Sequence, residues 1–173
     1  MNNIREKWMT EFLENSVYRL DESTRMNKIS LKSIEESNIW RKPNESSNSI
    51  GNQIMHICGN MKQYIIASLG GLNDQRNRDA EFSITNGFTS VQLLQNLEDT
   101  VHQAKNVLKS CSKSQLLKKR EVQGFNLSGI GIVIHAVEHY SYHTGQIAFW
   151  TKMLVNKDLG FYDGRDLNIK NKN

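Results

Sequence analysis

The chain has 173 residues, a net charge of +4, and 38% hydrophobic against 23% charged residues. At that length a single domain buries about two-thirds of its unfolded surface, so neither a disulfide nor a metal is needed merely to fold. A mean hydropathy of −0.58 excludes a membrane protein and a disordered tail alike. Only one proline is present, Pro43, which argues against an all-β domain with its many punctuated turns and for a few long helices.

The first helix is expected over 3–26, where Ile4, Trp8, Phe12, Leu13, Val17 and Leu20 recur at helical spacing between charged residues. Residues 28–48 read as a connection, with a short helix near 30–36, then Pro43 and a polar run from Asn44 to Asn48. Asn48 or Ser49 caps a second helix. It carries Ile50, Ile54, Ile57, Met61, Tyr64 and Ile65 inward and stops at Gly70 and Gly71. The charged stretch 71–88 reads as a loop. A third helix over 89–110, capped by Thr89 or Ser90, presents Val91, Leu94, Leu97, Val101, Ala104 and Leu108. After a Lys-rich connection, a fourth helix over 128–155 presents Ile130, Ile134, Val137, Ile147, Phe149, Trp150 and Leu154. These elements predict an all-α four-helix bundle over 1–155, with a tail, 156–173, packed on it or trailing from it.

The partner classes follow from what is missing. The longest apolar stretch, 129–137, falls far short of the roughly 20 residues a membrane span needs. Residues 1–7 are mostly polar and charged with no apolar h-region, unlike a secretory signal, so a cytoplasmic protein is expected. Lys113, Lys118, Lys119, Arg120, Lys170 and Lys172 have no interleaved aromatics and read as solvated surface rather than a nucleic-acid site. Cys58 and Cys111 show no C-x-x-C spacing and read as ordinary thiols.

The chemistry is concentrated in the histidines. His135, His139 and His143 are four residues apart, and each such step turns a helix by about 40°, so neighbours share a side. A pair at i and i+4 can grip one metal ion. Glu138, Tyr142 and Gln146 sit on or near the same face. Polar groups strung along a core-facing helix are costly unless something satisfies them, and a metal would satisfy the histidines. His56 falls in line with the apolar positions of the second helix. Two ligands from one helix and one from a facing helix make an open three-ligand site with a position left for water or substrate. His102, among polar neighbours, reads as a surface residue. His135 to His139 also spells H-x-x-E-H, with Glu138 as the base of an inverted zinc protease. That site needs a glutamate ligand downstream, and none follows His143. A metal-free alternative pairs the histidines with Glu138 and Tyr142.

The segment His139 to Gln146, H-x-x-x-H-x-G-Q, resembles the closing motif of the DinB-like superfamily. The segment Asn48 to Asn60 around His56 resembles that family's first metal-ligand helix. Arg76 to Phe82 and Phe161 to Gly164 are similar to an uncharacterised bacterial subfamily of it. The resemblance implies a four-helix bundle with long crossover connections, and 28–48 and 71–88 are compatible with that. It implies His56, His139 and His143 as ligands of one divalent ion, nickel or zinc, and His135 as an accessory residue. Glu138 or Tyr142 would assist proton transfer, while Asn60 and Gln146 would orient ligands or a bound water. Copies of the chain would pair as a homodimer.

For activity the resemblance implies a transferase that uses a low-molecular-weight thiol on a small-molecule electrophile, the metal presenting the thiolate. A metal-dependent hydrolase is drawn as easily from three histidines, and a non-catalytic metal-stabilised dimer or small-ligand binder is the third reading. Many relatives carry arginine where this chain has Thr144. Arg76 and Arg78 could replace it, or could be surface arginines paired with Asp79 and Glu81.

Overall fold

The inner face of the first helix continues well past the point where its apolar stripe fades. Ser16, Leu20, Ser23, Asn27, Ser30, Leu31 and Ile34 are all buried and recur at steps of three or four. Four of the seven are polar, and three of those donate to the helix's own carbonyls. Ser30 Oγ donates to the Met26 carbonyl and Asn27 Nδ2 to the Ser23 carbonyl. Helix α1 therefore spans Asn2–Ser33, not 3–26. The computed structural model describes residues 2–172, and side chains from Lys7 onward. Ile4, placed on the apolar stripe above, lies outside the described side chains.

Helix α2, Ile50–Met61, starts at a capping box. Ser49 Oγ accepts from the Asn52 backbone N–H, and Asn52 Oδ1 accepts from the Ser49 N–H. It runs on as a π-helical segment, Lys62–Leu69, and ends where Gly71 takes a left-handed φ of +79°. The expected loop after it holds a short helix α3, Arg78–Ser83, capped by Asn77. Helix α4, Ser90–Ser110, begins at a Thr89–Gln92 capping box. The Lys-rich connection is a short helix α5, Lys113–Leu117, and a hairpin of β1, Lys119–Val122, and β2, Phe125–Ser128. Its turn is Gln123-Gly124, both left-handed (φ 51° and 79°), as a two-residue turn between twisted strands requires. Helix α6, Gly129–Val155, starts at Ser128 and stops at a left-handed Asn156.

The four long helices form a bundle in which α1 packs on α4 and α6, and α2 packs on the same two. Helices α1 and α2 are thus diagonal, as are α4 and α6. The crossover connections are 34–49 and 111–128. The stretch 71–88, expected as a crossover, joins the neighbours α2 and α4. The second crossover passes close to α6: a Cβ on Gly129 would strike the Gln115 carbonyl and Leu116 Cα.

The core gathers Leu20, Ile54, Ile57, Leu97, Val133, Tyr140 and Ile147, all essentially fully buried. Two apolar phases differ from expectation. Leu93 is buried and Val91 is 74% exposed; on α6, Ile134 and Phe149 are 52% and 67% exposed. The buried row of α6 is Val133, Ala136, Tyr140, Thr144, Ile147 and Thr151. That helix is apolar on most sides, so hydrophobicity alone does not select its inner face. Between α1 and α6 the contact is polar: Thr144 Oγ1 accepts from Asn27 Nδ2 (2.8 Å), and Thr24 and Tyr140 share a hydroxyl hydrogen bond (3.0 Å). Beyond α6, Leu159 is buried and the Phe161 carbonyl accepts from Arg25 Nη1. Among the described residues no helix is long and apolar enough to cross a membrane.

Candidate metal centre

Helices α2 and α6 run antiparallel along the site. His135, His139 and His143 stand at the edge of the buried row of α6, and His56, flanked on α2 by buried Asn52, Gln53 and Asn60, faces them. The structure brings together one ligand nitrogen from each of His56, His139 and His143, all within 4.8 Å of one another. His56 Nε2 is 3.0 Å from His139 Nε2. Ligands around a tetrahedral zinc at 2.0–2.1 Å stand about 3.3 Å apart, so this donor set suits one small cation.

The backs of two imidazoles are tied down. His56 Nδ1 lies 2.8 Å from Glu81 Oε2 and His143 Nδ1 lies 2.8 Å from Gln146 Oε1. Both partners accept, so both Nδ1 atoms carry a proton, which in a neutral imidazole leaves the Nε2 lone pair for a metal. Arg76 Nη2, 3.1 Å from His56 Nδ1, is then a contact between two donors.

Glu81 is held as firmly as it holds His56. Arg76 Nε donates to its Oε1 (2.7 Å) and Arg76 Nη2 to its Oε2 (2.9 Å), and the two side chains are 3% and 6% exposed. Burial pushes the carboxyl up, but the hydrogen bonds and charges of Arg76 and His56 outweigh it and hold Glu81 below its ordinary value. Gly59 makes room for this arrangement, since a Cβ there would overlap Glu81 Oε1. Arg76 also donates to Gln63 Oε1 (2.9 Å). The pair is therefore buried rather than on the surface, and Arg78 lies over the Phe82 ring (4.8 Å) instead of pairing with Asp79. Phe82 packs on the His56 ring at 4.7 Å.

Burial, and then the neighbouring histidines, push His139 down to about 3; burial and His56 push His143 down to about 4. Both imidazoles are neutral at physiological pH, the form that ligates metals. His135 is also lowered, chiefly by burial. Its Nε2 accepts from Asn60 Nδ2 (3.2 Å) and its ring stacks on Tyr64 (4.1 Å), so it stands one step outside the triad. Glu138 and Tyr142 are exposed and line a separate cavity of about 1050 Å³ between α6, α1 and the tail; Tyr142 touches only the edge of the His143 ring. His102 is exposed. Cys58 is buried, its thiol raised to about 11 by desolvation. The pairing of Glu81 with His56 is the feature sequence reading missed. A glutamate four residues beyond the helix cap Asn77 was its only local signal.

Among the described residues, six α-helices, four of them long, and a crossed bundle with histidines between two of its helices define a DinB-like fold. The chain belongs to the family described as "Protein of unknown function (DUF1572)", whose pattern matches residues 7–162. It is similar to a DinB-like protein from Bacillus subtilis (TM-score 0.65, 19% identity, covering 88% of this chain and 99% of that one). A conserved protein from Enterococcus faecalis is also similar (TM-score 0.70, 14% identity, covering 83% and 97%). No curated protein matches.

Proposed function

We propose that this chain is a metal-dependent enzyme in which His56, His139 and His143 hold one divalent ion, nickel or zinc, and that it transfers a low-molecular-weight thiol to a small electrophile. The observation that carries the reading is the triad itself: three imidazoles with converging nitrogens, two of them fixed from behind by Glu81 and Gln146. A divalent ion held there supplies Lewis acidity that favours the anion of a thiol near neutral pH.

The chain's own residues set the conditions. Glu81 and Gln146 orient two of the three ligand rings. Arg76 offsets the charge of Glu81, so this pair would bring no net charge to a divalent ion held by the triad. The choice of thiol over water rests on proton demand. A thiol ionises near pH 8.5 before any metal acts, whereas water starts from about 15.7 and depends wholly on the ion and on any base nearby. Glu81, the carboxylate that touches the triad, has both oxygens engaged by Arg76 and His56, and Glu138 lies on the exposed side.

Elemental analysis of untagged protein, beside a His56→Ala/His143→Ala double variant, tests the site. About one equivalent of metal is expected in the parent and none in the variant; no metal in the parent even after reconstitution overturns it. Loaded protein is then screened with thiols and electrophiles. Hydrolysis without thiol transfer would replace the transferase reading with the hydrolase one.

A further inference from the structure

A helix that is apolar on most sides, as α6 is, is ordinarily covered on most sides. The outer face of α6 is bare. Ile134, Tyr142, Phe149 and Met153 are between 52% and 67% exposed, and Glu138, Ser141, Gly145 and Lys152 are exposed among them. These positions recur at steps of three and four, so they form one stripe along the helix. From Ile134 to Met153 the stripe is about 28 Å long.

Its chemistry is symmetrical about Gly145. Glu138 stands seven residues before that glycine and Lys152 seven after it. On one flank Tyr142 stands three before and Phe149 four after; on the other Ser141 stands four before and Ala148 three after. A second copy turned end over end about Gly145 brings each of these pairs level, to within about 1.5 Å along the axis. Glu138 then meets the partner's Lys152, Tyr142 the partner's Phe149, and Ser141 the partner's Ala148. Each contact is made twice, as a two-fold interface requires. The opposite charges attract, the rings pack on one another, and the flank of small side chains lets the two axes approach closely. Neither charge is committed elsewhere in the interior. Glu138 has no ion pair among the described residues, and Lys152 pairs at 3.1 Å with Asp158, itself 78% exposed.

We propose that this face joins two copies of the chain, with α6 packed antiparallel on α6 across a two-fold axis at Gly145. The inference is independent of the chemistry at the triad. One small molecule is too short to cover the stripe, and a one-sided partner has no use for opposite charges placed evenly about its middle.

The test is sedimentation velocity of the full-length untagged protein over a wide concentration range. A species of twice 19.9 kDa is expected. At Gly145 an added Cβ meets nothing within 4 Å of its own chain. A methyl also fits between helices about 8–10 Å apart, whereas Gly145→Glu sets two carboxylates on the axis and is expected to leave only monomer. Glu138→Lys and Lys152→Glu, each alone, turn both ion pairs into repulsions and are expected to weaken the dimer about tenfold. Combined, they exchange the signs and are expected to restore it. Circular dichroism checks each variant, and the charge exchange decides the matter should Gly145→Glu fail to fold. A parent that stays monomeric at every concentration overturns the proposal. So does a dimer that Gly145→Glu leaves intact, or one that the combined exchange fails to restore.

Discussion

Replacing Glu81 by glutamine tests the core of the site without changing its shape. The carboxylate accepts three short hydrogen bonds, from Arg76 Nε (2.7 Å), Arg76 Nη2 (2.9 Å) and His56 Nδ1 (2.8 Å). Glutamine keeps one acceptor oxygen and turns an NH₂ toward a donor on the other side. It also leaves the guanidinium, 3% exposed, without a counter-charge. Breaking one partner of a buried pair costs about 3–5 kcal/mol, and the retained oxygen places Glu81→Gln near 3 kcal/mol. For a chain of this length that is a fall of about 6–12 °C in Tm. Losing the acceptor behind a metal-ligating histidine costs a further 10–100-fold in metal affinity, roughly. Thermal unfolding of the metal-free protein and competition with a chromophoric chelator read the two effects separately. A second variant isolates the cause. Arg76→Met combined with Glu81→Leu removes the orphaned charge and is expected to recover about 1–2 kcal/mol relative to Glu81→Gln. A Tm within about 2 °C of the parent, with metal affinity within about threefold, would refute the reasoning.

The metal-free protein is expected to lose stability between pH 6.5 and 5, above the carboxylate range. The unfolded chain takes up protons at the ordinary imidazole value, whereas His139 and His143 refuse them until about 3 and 4. Urea midpoints that stay flat across that window contradict this, and bound metal is expected to delay the loss. Gly59→Ala places a Cβ over Glu81 Oε1 and 3.1 Å from Arg76 Nε. The three hydrogen bonds stop Glu81 from yielding, so a cost of about 1–3 kcal/mol is expected. Gly145→Ala meets nothing within 4 Å and gains up to about 1 kcal/mol of helix propensity; urea titrations in which the two substitutions behave alike would dismiss the contrast. Cys58, 2% exposed with its thiol raised to about 11, is expected to resist an aromatic disulfide reagent at pH 8 until denaturant is added, and rapid native-state labelling would show the site to be open.

Much of the architecture was legible in the chain itself. Scarce proline, capping residues at Ser49 and Thr89, and glycine at position 71 mark helix ends by local chemistry, and the ends fall there. The histidine row was legible for the same reason: a four-residue repeat on a helix fixes relative direction without any tertiary knowledge. What failed locally was phase. The inner face of α1 carries Ser16, Ser23, Asn27 and Ser30, which an apolar count reads as solvent. Helix α6 is apolar nearly all round, so only packing against α1 and α2 separates buried Thr144 from exposed Phe149.

Composition and spacing alone determined that this is a helical bundle with a candidate three-histidine centre, because helix periodicity, caps and ligand spacing are properties of neighbouring residues. Tertiary structure alone decided which helices are diagonal, which acceptors stand behind the histidines, and where Glu138 and Tyr142 point. Glu81 is 25 residues from His56, and His56 is 83 from His139. Contacts across such separations depend on how whole helices dock, and the burial of Arg76 and Glu81 around Gly59 exists only once α3 has folded back onto α2.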